Sequence, residues 1–476
     1  MTGIKNSFSI IGLFCLALAA ATIAALHAGL TLRDFEGDGV YYIQTANGLN
    51  LIEPGRKTVQ FLQQSLVLAG FKLGSTDILA YGRLLTFAMQ GWPVLLTALC
   101  WPALPRGEKN WILGPLINLA VVIPATSFVG IGEGMIASCI MWLLFLLVEF
   151  DGPGWIRRVA ALLLALACFA VHEASFLFMG FIAYLAAARA YRQSGLRRIC
   201  DVGVSLLALL DAIHLFNLVL VPRDPTNRGA FMQSLFSDAW VAITAAGWGI
   251  NLPAFAGLGV AACLALVHFP RARSAAQRAQ TLQRASLACL AFFLLVAGLY
   301  LAIPEWVALP QNFFAARGFP IMATMLMAYA IFQFRRFGWQ AETLTPPPVR
   351  TVLAAIIALN LLVQTVLTLH WDSYRNDLAA LVASRQGVIG WNKVSAALNP
   401  QRTFFRNDLA RSWIIQPLSI ALAPRGRVRA MVDARPDISW KPYNPDDAGT
   451  LPLCAKGLNW DGYLAARGFP PAVCGR

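Results

Sequence analysis

Charge is scarce in this chain, and acidic charge scarcest of all. Only 13% of its 476 residues are Asp, Glu, Lys or Arg, about half the share of a soluble domain. Twenty-four acids face 38 bases, for a net charge of +14. Several catalytic signatures are missing. No phosphate-binding GxxxxGK(S/T) loop occurs, so nothing points to ATP hydrolysis, and no CxxC pair, HExxH or GxSxG is present. Neither a repeat of fixed period nor an inverted pair of broken helices stands out, which weakens a transporter reading. What fills the space instead is apolar. The set AVILMFWYC makes up 58% of the chain and the mean hydropathy is +0.59. A soluble core cannot hide that much apolar surface, but lipid can.

Stretches near the spanning length of about 20 residues recur along the chain. They fall at about 9–30, 79–101, 111–130, 133–150, 159–172, 174–190, 201–221, 250–269, 285–303, 318–334 and 351–369. The apolar part of the first exceeds the roughly 7–15 residues of a signal-peptide core, which favours an uncleaved first helix over a cleaved signal. The expected fold is an all-α polytopic membrane protein of about eleven transmembrane helices. Its transmembrane domain covers 1–369, and 370–476 form a small extracytoplasmic C-terminal region.

The bases sit in short runs between the apolar stretches, a pattern of membrane orientation and not of nucleic-acid binding. With the N-terminus inside, alternate loops carry Arg106 and Lys109; Arg157 and Arg158; Arg192, Arg197 and Arg198; Arg271, Arg273, Arg278 and Arg284; and Arg335, Arg336 and Arg350. The later opposite loops carry only Arg223, Arg228 and Arg317. The first outer loop is the exception, with Arg33, Arg56, Lys57 and Lys72. This asymmetry, with an odd number of spans, puts the C-terminus on the outer face. Seven of the nine cysteines lie in or beside apolar stretches; the other two, Cys454 and Cys474, lie in the polar tail, where an oxidising compartment would let them pair as a disulfide.

The outer loop 31–78 holds the densest chemistry. Asp34, Glu36 and Asp38 stand within five residues, and Gly37 lets the chain turn so that Glu36 and Asp38 converge. Such a pair can hold a divalent cation such as Mg²⁺ or Mn²⁺, or supply a general base toward an acceptor hydroxyl. A hydrated acidic loop is the plain alternative. Further on, Val59, Phe61, Leu62, Leu66 and Val67 recur at helical spacing. They suggest an amphipathic helix on the membrane surface, a re-entrant piece or a packing helix. His172 and Glu173 interrupt an apolar stretch where it should reach the outer surface, and ionisable groups at membrane depth are functional candidates. Glu133 lies in a similar outer turn. Arg223, Arg228 and Arg317 suit a phosphate or pyrophosphate head group through bidentate contacts, or else anchor the interface. Asp211, His214 and Asn217 share a broad helix face, a proton path or, more commonly, interhelical hydrogen bonding.

This layout resembles membrane glycosyltransferases of the GT-C type, which carry a DxD or ExD motif just after the first span; Glu36-Gly37-Asp38 matches it. They commonly have an extracytoplasmic C-terminal region, as 370–476 would be. A weaker resemblance is to Wzy/EpsG-like repeat-unit polymerases. It rests on Asp38-Gly39-Val40-Tyr41-Tyr42, on His172-Glu173-Ala174-Ser175 entering a span, and on Arg317 opening a late one. Gly132-Glu133-Gly134-Met135 departs from that pattern. Both resemblances imply transfer of a sugar from a polyprenyl-phosphate-linked donor to a glycan or lipid acceptor on the outer face, in cell-envelope polysaccharide biosynthesis. On that reading Asp38, Glu36 and Asp34 are catalytic, and His172, Glu173, Arg223, Arg228 and Arg317 bind substrate. A lipid or glycan flippase and a non-catalytic scaffold are the readings of another class.

Overall fold

The computed structural model describes residues 9–33, 56–73, 78–126, 133–150, 155–220, 313–336 and 338–385, with a few isolated positions and two short strands besides. Helices dominate: α1 (Ile10–Thr31), α2 (Lys57–Lys72), α3 (Ile78–Ala103), α4 (Leu113–Ile117), α5 (Ile123–Thr126), α6 (Glu133–Glu149), α7 (Trp155–Ala167), α8 (Phe176–Tyr191), α9 (Gly195–Leu220), α10 (Phe313–Arg336), α11 (Ala341–Leu344) and α12 (Pro347–Ser384). Among the described residues five helical stretches are long and apolar enough to cross a membrane: Ile10–Thr31, Leu79–Ala103, Glu173–Tyr191, Gly195–Val219 and Pro347–Ser384. The stretches expected at 250–269 and 285–303 lie outside the described residues.

The helix ends follow from local chemistry. Ser9 caps α1, its hydroxyl accepting from the Gly12 N–H at 3.0 Å. At the other end Leu32 turns left-handed (φ 59°) and its N–H closes onto the last turn. Pro347 opens α12 at a position where no N–H is needed. The centre of the bundle is α6. Every residue of α6 except Leu143 and Glu149 is buried, because α2, α3, α7, α8 and α10 all pack against it. α1 lies between α3 and α12, and α8 and α9 form a hairpin.

Residues 106–126 depart from a simple span. The chain starts as a 3₁₀ turn, becomes α4, widens to a π-helix over Asn118–Val122 and finishes as α5. Pro124 has no N–H, so the Ala120 carbonyl four residues earlier loses its helical donor. Asn360 of α12 replaces it, donating Nδ2 to that carbonyl at 2.6 Å, and Gln364 Nε2 donates to the Pro124 carbonyl at 3.0 Å. Asn118 joins three segments by donating to Ser138 Oγ of α6 at 3.1 Å and accepting from Thr324 Oγ1 of α10 at 3.2 Å. In lipid such freed backbone groups need internal partners, and side chains from neighbouring helices supply them.

Three expectations change in detail. The stretch 159–172 is helical only to Ala167, since Ala170 adopts φ 59° and the chain reverses. The stretch 351–369 is the middle of α12, which continues to Ser384. Trp371, Tyr374, Leu378 and Val382 recur at helical spacing and are buried, so the expected domain boundary at 369 falls inside one helix. The all-α expectation also needs an addition. In the tail, β1 (Gly387–Ile389) and β2 (Ala430–Val432) pair in parallel, Gly387 opposite Ala430, with the β-branched Val388, Ile389 and Val432 suited to strands.

Candidate functional site

The acidic segment 34–55 is flanked by two arginines, and both are buried in the bundle. Arg33 ends α1. Its Nη1 donates to Gln364 Oε1 at 2.9 Å and to Thr368 Oγ1 at 3.2 Å on α12. The turn beside it is tied to the same helix, because the Thr31 carbonyl accepts from Trp371 Nε1 and Arg375 Nη1, each at 3.0 Å. Arg56 precedes α2. Its Nε donates to both Glu173 oxygens at 2.9 and 2.7 Å, and its Nη1 donates to Glu133 Oε2 at 2.7 Å. Arg56 Nη2 also pairs with Glu173 Oε1. Gln60, one helical turn on, donates to the second Glu133 oxygen at 3.3 Å.

Glu133 is fully buried and His172 nearly so. The Ala174 N–H donates to His172 Nδ1 at 3.2 Å, so in this arrangement the ring proton sits on Nε2. Nδ1 also lies 3.5 Å from Glu173 Oε2. Two carboxylates thus surround one guanidinium. The cluster is buried at the start of α6. Its arginine is fully engaged and is not free to grip a phosphate.

The turn that presents His172 and Glu173 is held from two sides. From α9, Asp211 Oδ1 accepts the Ala170 N–H at 2.8 Å, and the His214 ring stacks on Phe169 with centroids 5.5 Å apart. From α2, Thr58 Oγ1 donates to the Ala167 carbonyl at 2.7 Å, closing the end of α7. Asp211 and His214 are thus interhelical ties, while Asn217 on the same helix is exposed. α2 itself is a packing helix. Val59 and Val67 are buried, but so are Gln60, Gln63 and Gln64, while Phe61 and Leu66 face outward.

With this geometry in view, the comparisons decide little. No protein-family model, curated protein or solved structure matches the chain. The remaining expected site residues divide as follows. Asp34, Glu36 and Asp38 lie outside the described residues, as do Arg223, Arg228, Cys454 and Cys474. Arg317 lies in the first turns of α10. Among the described residues no group of three potential ligands could hold a metal ion. The structure brings together His172, Glu173 and Glu133, and organises them around Arg56. The loop-charge pattern treats Arg56 only as an exception, yet two acids at neighbouring turns demand a cationic partner. Arg56, just before the helix that packs there, is the base that meets that demand.

Proposed function

We propose that the chain is an inner-membrane glycosyltransferase that moves a sugar from a polyprenyl-phosphate donor to a glycan or lipid acceptor. The observation that carries the reading is the clamping of both ends of the acidic segment. Arg33 and Arg56, which flank residues 34–55 in the sequence, are both held in the bundle, Arg33 by Gln364 and Thr368 and Arg56 at the buried Glu133–Glu173–His172 cluster. A reactive group between two fixed flanks has less freedom to lose, which is what positioning of Asp34, Glu36 and Asp38 would require. Asp38 serves as the base or, with Glu36, as a cation ligand; the phosphate partners are the arginines Arg223, Arg228 and Arg317. Support against passage through the bundle comes from the described residues of its middle, where Asn118 bonds Ser138 and Thr324 and the Asn360 amide nitrogen bonds the Ala120 carbonyl.

The test uses the full-length protein in vesicles with a radiolabelled polyprenyl-phosphate sugar and an extract of cell-envelope acceptors. Asp38→Asn should lower the chemical step by roughly 10²–10⁴-fold, the usual worth of general base catalysis, with donor binding nearly unchanged. If Glu36→Gln and Asp38→Asn both give product at the parental rate, the reading fails. Orientation is tested separately. A reporter active only outside the cytoplasm, fused after Ser384, should be active; a cytoplasmic readout there would put the whole site on the wrong side.

A further inference from the structure

A cavity of about 800 Å³ opens at the opposite end of the bundle from Arg56. Its walls are the 3₁₀ turn Arg106–Ile112, the C-terminal ends of α6, α8 and α10, and residues 338–342 leading into α11. The carboxylates in these walls are already engaged. Glu149 pairs with Arg335, Glu108 lies 3.4 Å from the same guanidinium, and Glu342 accepts from Asn110. Arg335 also lies over the Phe150 ring at 4.0 Å. Arg189, deeper in, pairs with the buried Asp201 and caps α6 by donating to the Leu147 carbonyl at 3.0 Å.

Two cations on the cavity differ from these. Arg192 and Arg336 are exposed, and their side chains make no hydrogen bond or ion pair among the described residues. The surroundings are already positive. Burial, and then the charges of Arg157 and Arg106, hold the nearby Lys109 ammonium below the usual lysine range. The rim also meets apolar surface. Tyr184 lines the cavity and is 57% exposed, and Tyr191 is 90% exposed at the end of the same helix. Aromatics beside exposed arginines are what a bilayer interface selects.

We infer that this cavity binds the phosphate headgroup of an anionic phospholipid, with Arg192 and Arg336 gripping the phosphate and the acyl chains lying along α8. Basic pockets between membrane helices recognise such headgroups through the charge they leave unpaired. The inference is independent of any glycosyl transfer. A soluble phosphate compound offers the same headgroup chemistry without the chains, and the test separates the two.

The full-length protein in neutral detergent is titrated with phosphatidylglycerol or phosphatidylcholine of the same acyl length, and bound lipid is counted by native mass spectrometry. The parent should retain phosphatidylglycerol preferentially. The Arg192→Gln/Arg336→Gln double variant should bind it about thirtyfold more weakly, two basic contacts at the membrane surface, with phosphatidylcholine unchanged. Arg198→Gln/Arg284→Gln removes the same charge from exposed positions that do not line the cavity and should leave binding within about twofold. Equal losses in both double variants would reduce the effect to net charge, and undiminished binding in the first would remove the site; either result overturns the proposal. So does glycerol 1-phosphate, if at millimolar concentration it displaces the lipid, because the ligand is then a soluble phosphate. Both variants alter exposed side chains, and thermal melting should confirm that each folds as the parent does.

Discussion

The two ends of α6 carry the same chemistry in opposite settings. Glu133 at one end and Glu149 at the other each meet an arginine, roughly 24 Å apart by the rise of an α-helix. At the first end Arg56 stands between two carboxylates and closes the space between α2, α6 and the start of α8. At the second, Arg335 lines an open cavity and is only partly covered. An ion pair between helices can thus fill a bundle end or leave it accessible, and burial decides which. A sealed pair holds structure; a shallow one leaves room for a ligand.

The comparison predicts unequal costs. Arg56→Met should be the most damaging, because it strands Glu133 and Glu173 as buried unpaired acids. A loss of about 3–5 kcal/mol is expected for breaking such a pair from one side, read from denaturant or thermal unfolding in detergent. Asn360→Leu tests the middle of the bundle, where it orphans the Ala120 carbonyl. The expected loss is about 1–3 kcal/mol, with the π-helical turn as the segment whose amide exchange rises first. Arg335→Gln should cost least, below about 1 kcal/mol, since Arg335 and its partners keep solvent contact. If Arg335→Gln proves as costly as Arg56→Met, burial is not what separates the two ends.

Much of this arrangement is legible in the sequence, though unevenly. Apolar length marks α1, α3, α8, α9 and α12, because lipid imposes a span of fixed length whatever packs around it. The outer placement expected for Glu133 and His172-Glu173 anticipates their meeting at one end. What they meet is harder to read. Arg56 looks like an ordinary loop base until two distant turns are known to approach it, and that depends on packing and not on spacing. The end of α7 is similarly hidden. No Gly or Pro marks Ala167–Ala170, and the reversal there depends on Asp211, Thr58 and His214 from other helices. On α2 glutamines share the buried side with Val59 and Val67 for the same reason, with Gln60 drawn inward by Glu133.

The hydrogen bond from Asn360 to Ala120 spans 240 positions of the chain. It bears on how the protein is made. Residues 106–126 reach the membrane with a carbonyl bared by Pro124, and their proper partner has yet to be translated. At roughly 5–20 residues per second, Asn360 follows after about 12–48 s. Through that interval the segment must tolerate an incomplete backbone or borrow a temporary donor from lipid headgroups, water or the insertion machinery. The same late helix ties down Arg33 and Thr31 at the end of the first span. The contact between α1 and α12 therefore forms late, and a nascent chain stopped before residue 360 holds its earliest helices without the partner that completes them.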